Sequence, residues 1–126
     1  MYYGVLTEQI IGAFYRVHSK LGFGFLEKVY ENALVIELKR ANLDVVQQYP
    51  IDVYYDGVKV GIYCADIVVN DLVILELKAC SSISEEHEAQ LIHYLRSSEY
   101  EVGLILNFGK KATVKRKVFD NERKGS

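Results

Sequence analysis

Apolar positions along the chain recur first at helical and then at strand spacing, and their order predicts helix, helix, three strands, helix, two strands. Leu6, Ile10, Ala13, Phe14, Val17 and Leu21 form one helical stripe that Gly22 ends, with Thr7 a candidate N-cap for a helix reaching about Lys20. A second helix is expected from about Leu26 to Arg40. Strands follow near Val45 to Tyr55 and Val58 to Val69, joined by an Asp56-Gly57 turn, and then from Leu72 to Ala79. Pro50 marks the first of these as an edge or bulged strand. Ser84 suits the N-cap of a helix from Glu85 to about Ser98, with Ala89, Leu91, Ile92 and Leu95 as its apolar side. Glu101 to Asn107 reads as a buried strand, and Val114 to Phe119 as an added edge strand before a frayed tail.

Three charges interrupt this pattern. Asp66 and Glu76-Leu77-Lys78 lie in two otherwise apolar strands, where an unpartnered ionised group is costly. Strand parity puts Glu76 and Lys78 on one face. If the intervening loop is the three residues Asn70, Asp71 and Leu72, Asp66 stands opposite Glu76; a two-residue Asn70-Asp71 turn would place them on opposite faces. The site reading therefore requires an odd-length or bulged loop, whose left-handed conformation Asn and Asp tolerate. Two converging carboxylates repel unless a cation lies between them, and hard oxygen ligands suit Mg²⁺ or Mn²⁺. Such an ion activates water and stabilises charge on a phosphoryl oxygen, while Lys78 would orient or deprotonate the water, or neutralise the developing charge.

At these residues the chain resembles the PD-(D/E)XK nuclease superfamily, with Asp66 as the first acidic position and Glu76-Leu77-Lys78 as the E-x-K; Ala65 stands where the motif has proline. Gly24-Phe-Leu-Glu27-Lys-Val-Tyr30 is similar to the signature of the small GxxExxY family within that superfamily, and the likeness extends from Leu6 to about Phe119. The resemblance implies an α/β (α+β) fold with a restriction-endonuclease-like core, a mixed central sheet flanked by helices. It also implies that Glu27 completes the metal site, that the Leu77 carbonyl is a further metal ligand, and that Gln90 and Tyr94, spaced as Q-x-x-x-Y, contact substrate or support the metal site. Tyr30, at i+3 from Glu27, shares roughly its helical face and is a further substrate-side candidate. The superfamily usually leaves a 5′-phosphate and a 3′-hydroxyl.

Each residue also has a plainer reading. Glu76 and Lys78 alone would suit a same-face ion pair on an exposed edge strand, although the flanking Val73, Ile74, Leu75 and Leu77 argue against exposure. Glu27 and Gln90 would be solvated helix residues, and Tyr30 and Tyr94 packing residues with hydrogen-bonded hydroxyls. His87 shares a helical stripe with Gln90 and Tyr94 and could reach a phosphate, or lie at the surface; His18 and His93 have no partner at metal-ligand spacing and read as structural. Cys64 and Cys80 form no C-x-x-C pair and are expected to be buried thiols, with no zinc site.

With 126 residues, of which 50% are hydrophobic and 25% charged, the chain reads as a single domain over 1–126. No apolar run approaches a membrane span and no signal peptide is recognised, so a cytoplasmic protein is expected. A formal net charge of −2 offers no general attraction to a polyanion. However, seven of the 15 basic residues (Lys110, Lys111, Lys115, Arg116, Lys117, Arg123 and Lys124) crowd a C-terminal segment from about 110, which would form either a phosphate-contacting patch or a solvated tail. The expectation is a Mg²⁺- or Mn²⁺-dependent nuclease acting on nucleic acid, DNA above all, with a homodimer a plausible way to cut two strands. The alternatives are a non-catalytic nucleic-acid-binding module or a protein-interaction domain on the same fold.

Overall fold

A computed structural model describes residues 3–124 of the chain. Two helices, α1 (Gly4–Leu21) and α2 (Glu27–Arg40), precede strands β1 (Val45–Tyr55), β2 (Val58–Val69) and β3 (Val73–Lys78); α3 (Glu85–Arg96), β4 (Val102–Phe108) and β5 (Ala112–Val118) complete the core. The strands lie side by side in the order β1-β2-β3-β4-β5. Only the β3/β4 pair is parallel, because α3 carries the chain back across the sheet between them.

Both faces of the centre are covered. Ile67, Val69, Val73, Leu75, Leu77, Leu104, Leu106 and Phe108 meet Ile10, Phe14, Val17, Tyr30, Leu34 and Leu38 of the first two helices. Val68, Ile74 and Ile105, of opposite parity, meet Leu91 and Leu95 of α3. This two-sided burial explains why β3 and β4 read as nearly continuous apolar runs. β1 is the edge strand that Pro50 required, and its hairpin turns through Asp56 and Gly57, both at positive φ.

Local signals differ from expectation in three places. Thr7 does not cap α1: the helix begins at Gly4, and Thr7 lies in its first turn, donating its hydroxyl to the Gly4 carbonyl at 2.9 Å. Its burial makes it part of the buried stripe, one turn before Ile10. The cysteines are not buried: Cys64 is exposed on β2, and Cys80 is half-exposed in the loop after β3. The expected frayed tail instead forms a 3-10 turn over Asn121–Lys124, with the Lys124 ammonium donating to the carbonyls of Ser98 and Tyr100 at 2.9 and 2.6 Å.

The start of α3 is as expected and more elaborate. Ser84 Oγ accepts from the His87 N–H at 3.1 Å, and the Ser84 N–H donates to His87 Nδ1 at 3.2 Å, a capping box in which histidine stands in for the usual glutamate. His87 is thus engaged at the helix start. Ser84→Ala is expected to cost about 1 kcal/mol, read as a lower urea midpoint at unchanged m-value.

Candidate active site

The site grows from an irregularity in the long hairpin. Gln47 pairs with Ile67 and Tyr49 with Ala65, but the Gln48–Asp66 level between them carries no ladder pair, and Gln48 is at φ 51°. The two strands change face there: Ile67 and Val69 pack under α1 and α2, whereas Tyr63 and Ala65 pack under α3. Asp66 stands at the crossing.

The β2–β3 loop is Asn70-Asp71-Leu72, with Asn70 and Asp71 both at φ 52°, and the register Ile67↔Leu75 carried one step further sets Asp66 level with Glu76. Regular pairing stops at that level. The Leu77 N–H donates instead to Asp66 Oδ2 at 2.8 Å, so a carboxylate replaces a ladder carbonyl and splays the strands open. Glu76 accepts from the Tyr63 hydroxyl at 2.5 Å, and the Tyr63 ring stacks on Tyr94 of α3 with centroids 3.4 Å apart. Tyr94 therefore joins the site through Tyr63.

The electrostatics are those of excess negative charge in partial burial. Glu76 has its pKa pushed up to about 7, first by burial and then by Asp66, against the smaller opposing pulls of the Tyr63 hydroxyl and Lys78. Asp66 is raised chiefly by burial, against the Leu77 N–H, with Glu31 and Glu27 raising it further and Lys78 lowering it. Burial and Glu76 push the Tyr63 hydroxyl well above its ordinary range, so it remains a donor. Lys78, half-buried and of Glu76's parity, is the cation that acts on both carboxylates.

Glu27 is exposed as the first residue of α2, close enough for its charge to act on Asp66 and Glu76. Gly24, at φ 110°, bends the preceding loop through a conformation that favours glycine. Tyr30 is fully buried: its hydroxyl donates to the Gly22 carbonyl at 2.6 Å and accepts from the Phe25 N–H at 3.2 Å, while its ring stacks on Phe108. In this geometry Gly24 turns the loop, Glu27 starts α2 and Tyr30 ties the loop down. Gln90 is exposed on α3, one turn before Tyr94.

Two participants escaped the sequence reading. Glu31 is buried, held by Lys28 at 3.1 Å, Gln47 at 2.7 Å and Gln48 at 3.0 Å, and acts on Asp66 more strongly than Glu27 does. Its signal was a charge four residues after Glu27, on the stripe of Tyr30, Leu34 and Leu38. Tyr63 was hidden because the face change at Asp66 cannot be counted from parity. Three of the basic C-terminal residues are engaged within the fold: Lys117 pairs with Glu88 of α3 at 2.6 Å, Lys124 binds carbonyls, and Arg123 covers Phe119.

Among the described residues no three His, Cys, Asp or Glu side chains converge into a ready-made metal cage. The donor set nonetheless suits a hard divalent cation: two carboxylates at one level, one of them with a proton affinity raised by the other's charge, and Glu27 at the mouth. No described helix is long and apolar enough to cross a membrane.

Comparison with known proteins bears on the fold and the family. The fold is similar to the crystal structure of SSO0001, with a TM-score of 0.51 and 18% identity over 98% of this chain; the chain spans 63% of the length of that one. No curated protein matches the sequence. The family model of the PD-(D/E)XK nuclease superfamily matches residues 5–118, which contain Asp66, Glu76 and Lys78 on the strands described above. The chain belongs to the PD-(D/E)XK nuclease superfamily, whose members are typically nucleases that use divalent metals.

Proposed function

We propose that this chain is a Mg²⁺- or Mn²⁺-dependent nuclease of the GxxExxY type that hydrolyses phosphodiester bonds, foremost in DNA, in the cytoplasm and as a homodimer when it cuts both strands. The observation that carries the reading is the pair of carboxylates on adjacent strands, Asp66 and Glu76, with Glu76 pushed up to about 7 and Lys78 beside them. A bound divalent cation supplies charge neutralisation and a more acidic water. Asp66, Glu76 and the Leu77 carbonyl would hold it, with Glu27 binding it or its waters. Lys78 orients the attacking water and offsets charge on the phosphoryl oxygens. The water gives up a proton and its oxygen bonds to phosphorus as the bond to the 3′ oxygen breaks and that oxygen takes up a proton, leaving a 5′-phosphate and a 3′-hydroxyl. Tyr63 and Tyr94 position Glu76, and Gln90 faces substrate.

The test is cleavage of supercoiled, linear and single-stranded DNA and of RNA, with Mg²⁺, Mn²⁺ or a chelator. Metal-dependent cutting is expected, falling by about 10²-fold or more in Lys78→Ala while metal binding survives. If the wild type binds metal and nucleic acid but cuts none of the four substrates, the chain is a binding module on a nuclease fold.

A further inference from the structure

We propose that the loop between α1 and α2 is a stacking platform for unpaired nucleobases, so that the preferred substrate is single-stranded or frayed nucleic acid; this rests on the nuclease reading above. Phe23 and Phe25 flank Gly24 and are 59% and 46% exposed, and Leu26 beyond them is 79% exposed. Exposed rings gathered on one short loop call for a partner. They line a groove of about 340 Å³ whose other walls include Ala79, Cys80, Phe108 and Lys110.

The groove's walls neighbour the candidate site along the chain on two sides. Cys80 follows Lys78 by two residues, and Glu27 follows Phe25 by two. Its floor is fixed. The fully buried Asn107 accepts from the Cys80 N–H at 3.0 Å and donates to the Cys80 carbonyl at 2.9 Å, which locks the end of β3 to β4. Its roof is held by Tyr30, whose hydroxyl binds both Gly22 and Phe25.

The charge there suits a polyanion. The Lys110 ammonium lies over the Phe23 ring, 5.9 Å from its centroid, and the neighbouring Lys111 is exposed. A ring face beside an ammonium can take a base and its phosphate together, an arrangement that tolerates any sequence because every base has a π-face. Bases paired within a duplex are stacked on one another and cannot lie on the ring. A strand on Phe23 would carry its phosphates past Lys110 toward Lys78.

The test uses the whole chain without divalent metal, so that nothing is cut, and single-stranded DNA and RNA of one sequence carrying 2-aminopurine, whose fluorescence reports stacking, with a blunt duplex for comparison. Phe23→Ala, which removes an exposed ring, is expected to abolish the fluorescence change and weaken single-strand binding about 10-fold, with duplex binding unchanged. Phe23→Trp is expected to restore both. DNA and RNA both present unpaired bases, and a Phe23-dependent signal from either supports the platform. Unchanged single-strand binding by Phe23→Ala, or an equal loss on the duplex, would overturn the platform and leave the nuclease reading standing. A wild type that binds neither strands nor duplex would overturn both.

Discussion

Asp66→Asn is expected to lower metal-dependent cleavage by at least about 10²- to 10³-fold without unfolding the chain, measured as single-turnover rates beside a thermal melt. Asparagine is the informative replacement because its amide oxygen can still accept from the Leu77 N–H, the bond by which Asp66 replaces a ladder carbonyl. What it removes is the charge. That charge is the second cause, after burial, of the raised Glu76 pKa, so the substitution also makes Glu76 more acidic and leaves one carboxylate where a dication needs two. A variant cutting within about threefold of the wild type would be too active for a lost charge-stabilising group and would reduce Asp66 to a structural hydrogen-bond acceptor.

Glu76→Gln is expected to stabilise the metal-free chain by about 3 kcal/mol at pH 8 and hardly at all at pH 4, in urea unfolding with a chelator. The Glu76 pKa rises from an ordinary 4.5 to about 7 on folding, which at ~1.36 kcal/mol per pH unit gives that figure. Between those values the folded chain holds a proton that the unfolded chain has released, so raising the pH through this window costs stability, and the whole cost remains above it. Glutamine never ionises and keeps an oxygen for the Tyr63 hydroxyl. The same variant is expected to lose the stabilisation that Mn²⁺ gives the wild type, since a cation binds the folded carboxylates and not the dispersed ones. A stability difference that does not grow with pH would mean that Glu76 is solvated. The site thus trades stability for charge, as functional sites commonly do.

How much of this was legible follows from which signals are local. The opposition of Asp66 and Glu76 could be counted, because the loop Asn70-Asp71-Leu72 has an odd length and both of its first residues tolerate positive φ. The hairpin through Asp56-Gly57, the edge position of Pro50 and the Ser84 cap were likewise written in two to four residues each. The face change at Gln48 and Asp66 was not, since Pro50 two residues on signals an edge or a bulge without saying at which residue the pairing lapses. Tyr63 and Glu31 were lost with it. Exposure was also illegible at Phe23 and Phe25, whose apolar character suggests burial and whose position on a glycine-bent loop prevents it.

The most direct measurement of the central claim is a calorimetric titration of Mn²⁺ into the wild type and Asp66→Asn at pH 8, where Glu76 is ionised. Binding by the wild type that disappears in Asp66→Asn, and that weakens as the pH falls through 7, is the expected result. Binding that is absent from the wild type, or that survives unchanged in Asp66→Asn, would contradict a metal centre built on Asp66 and Glu76.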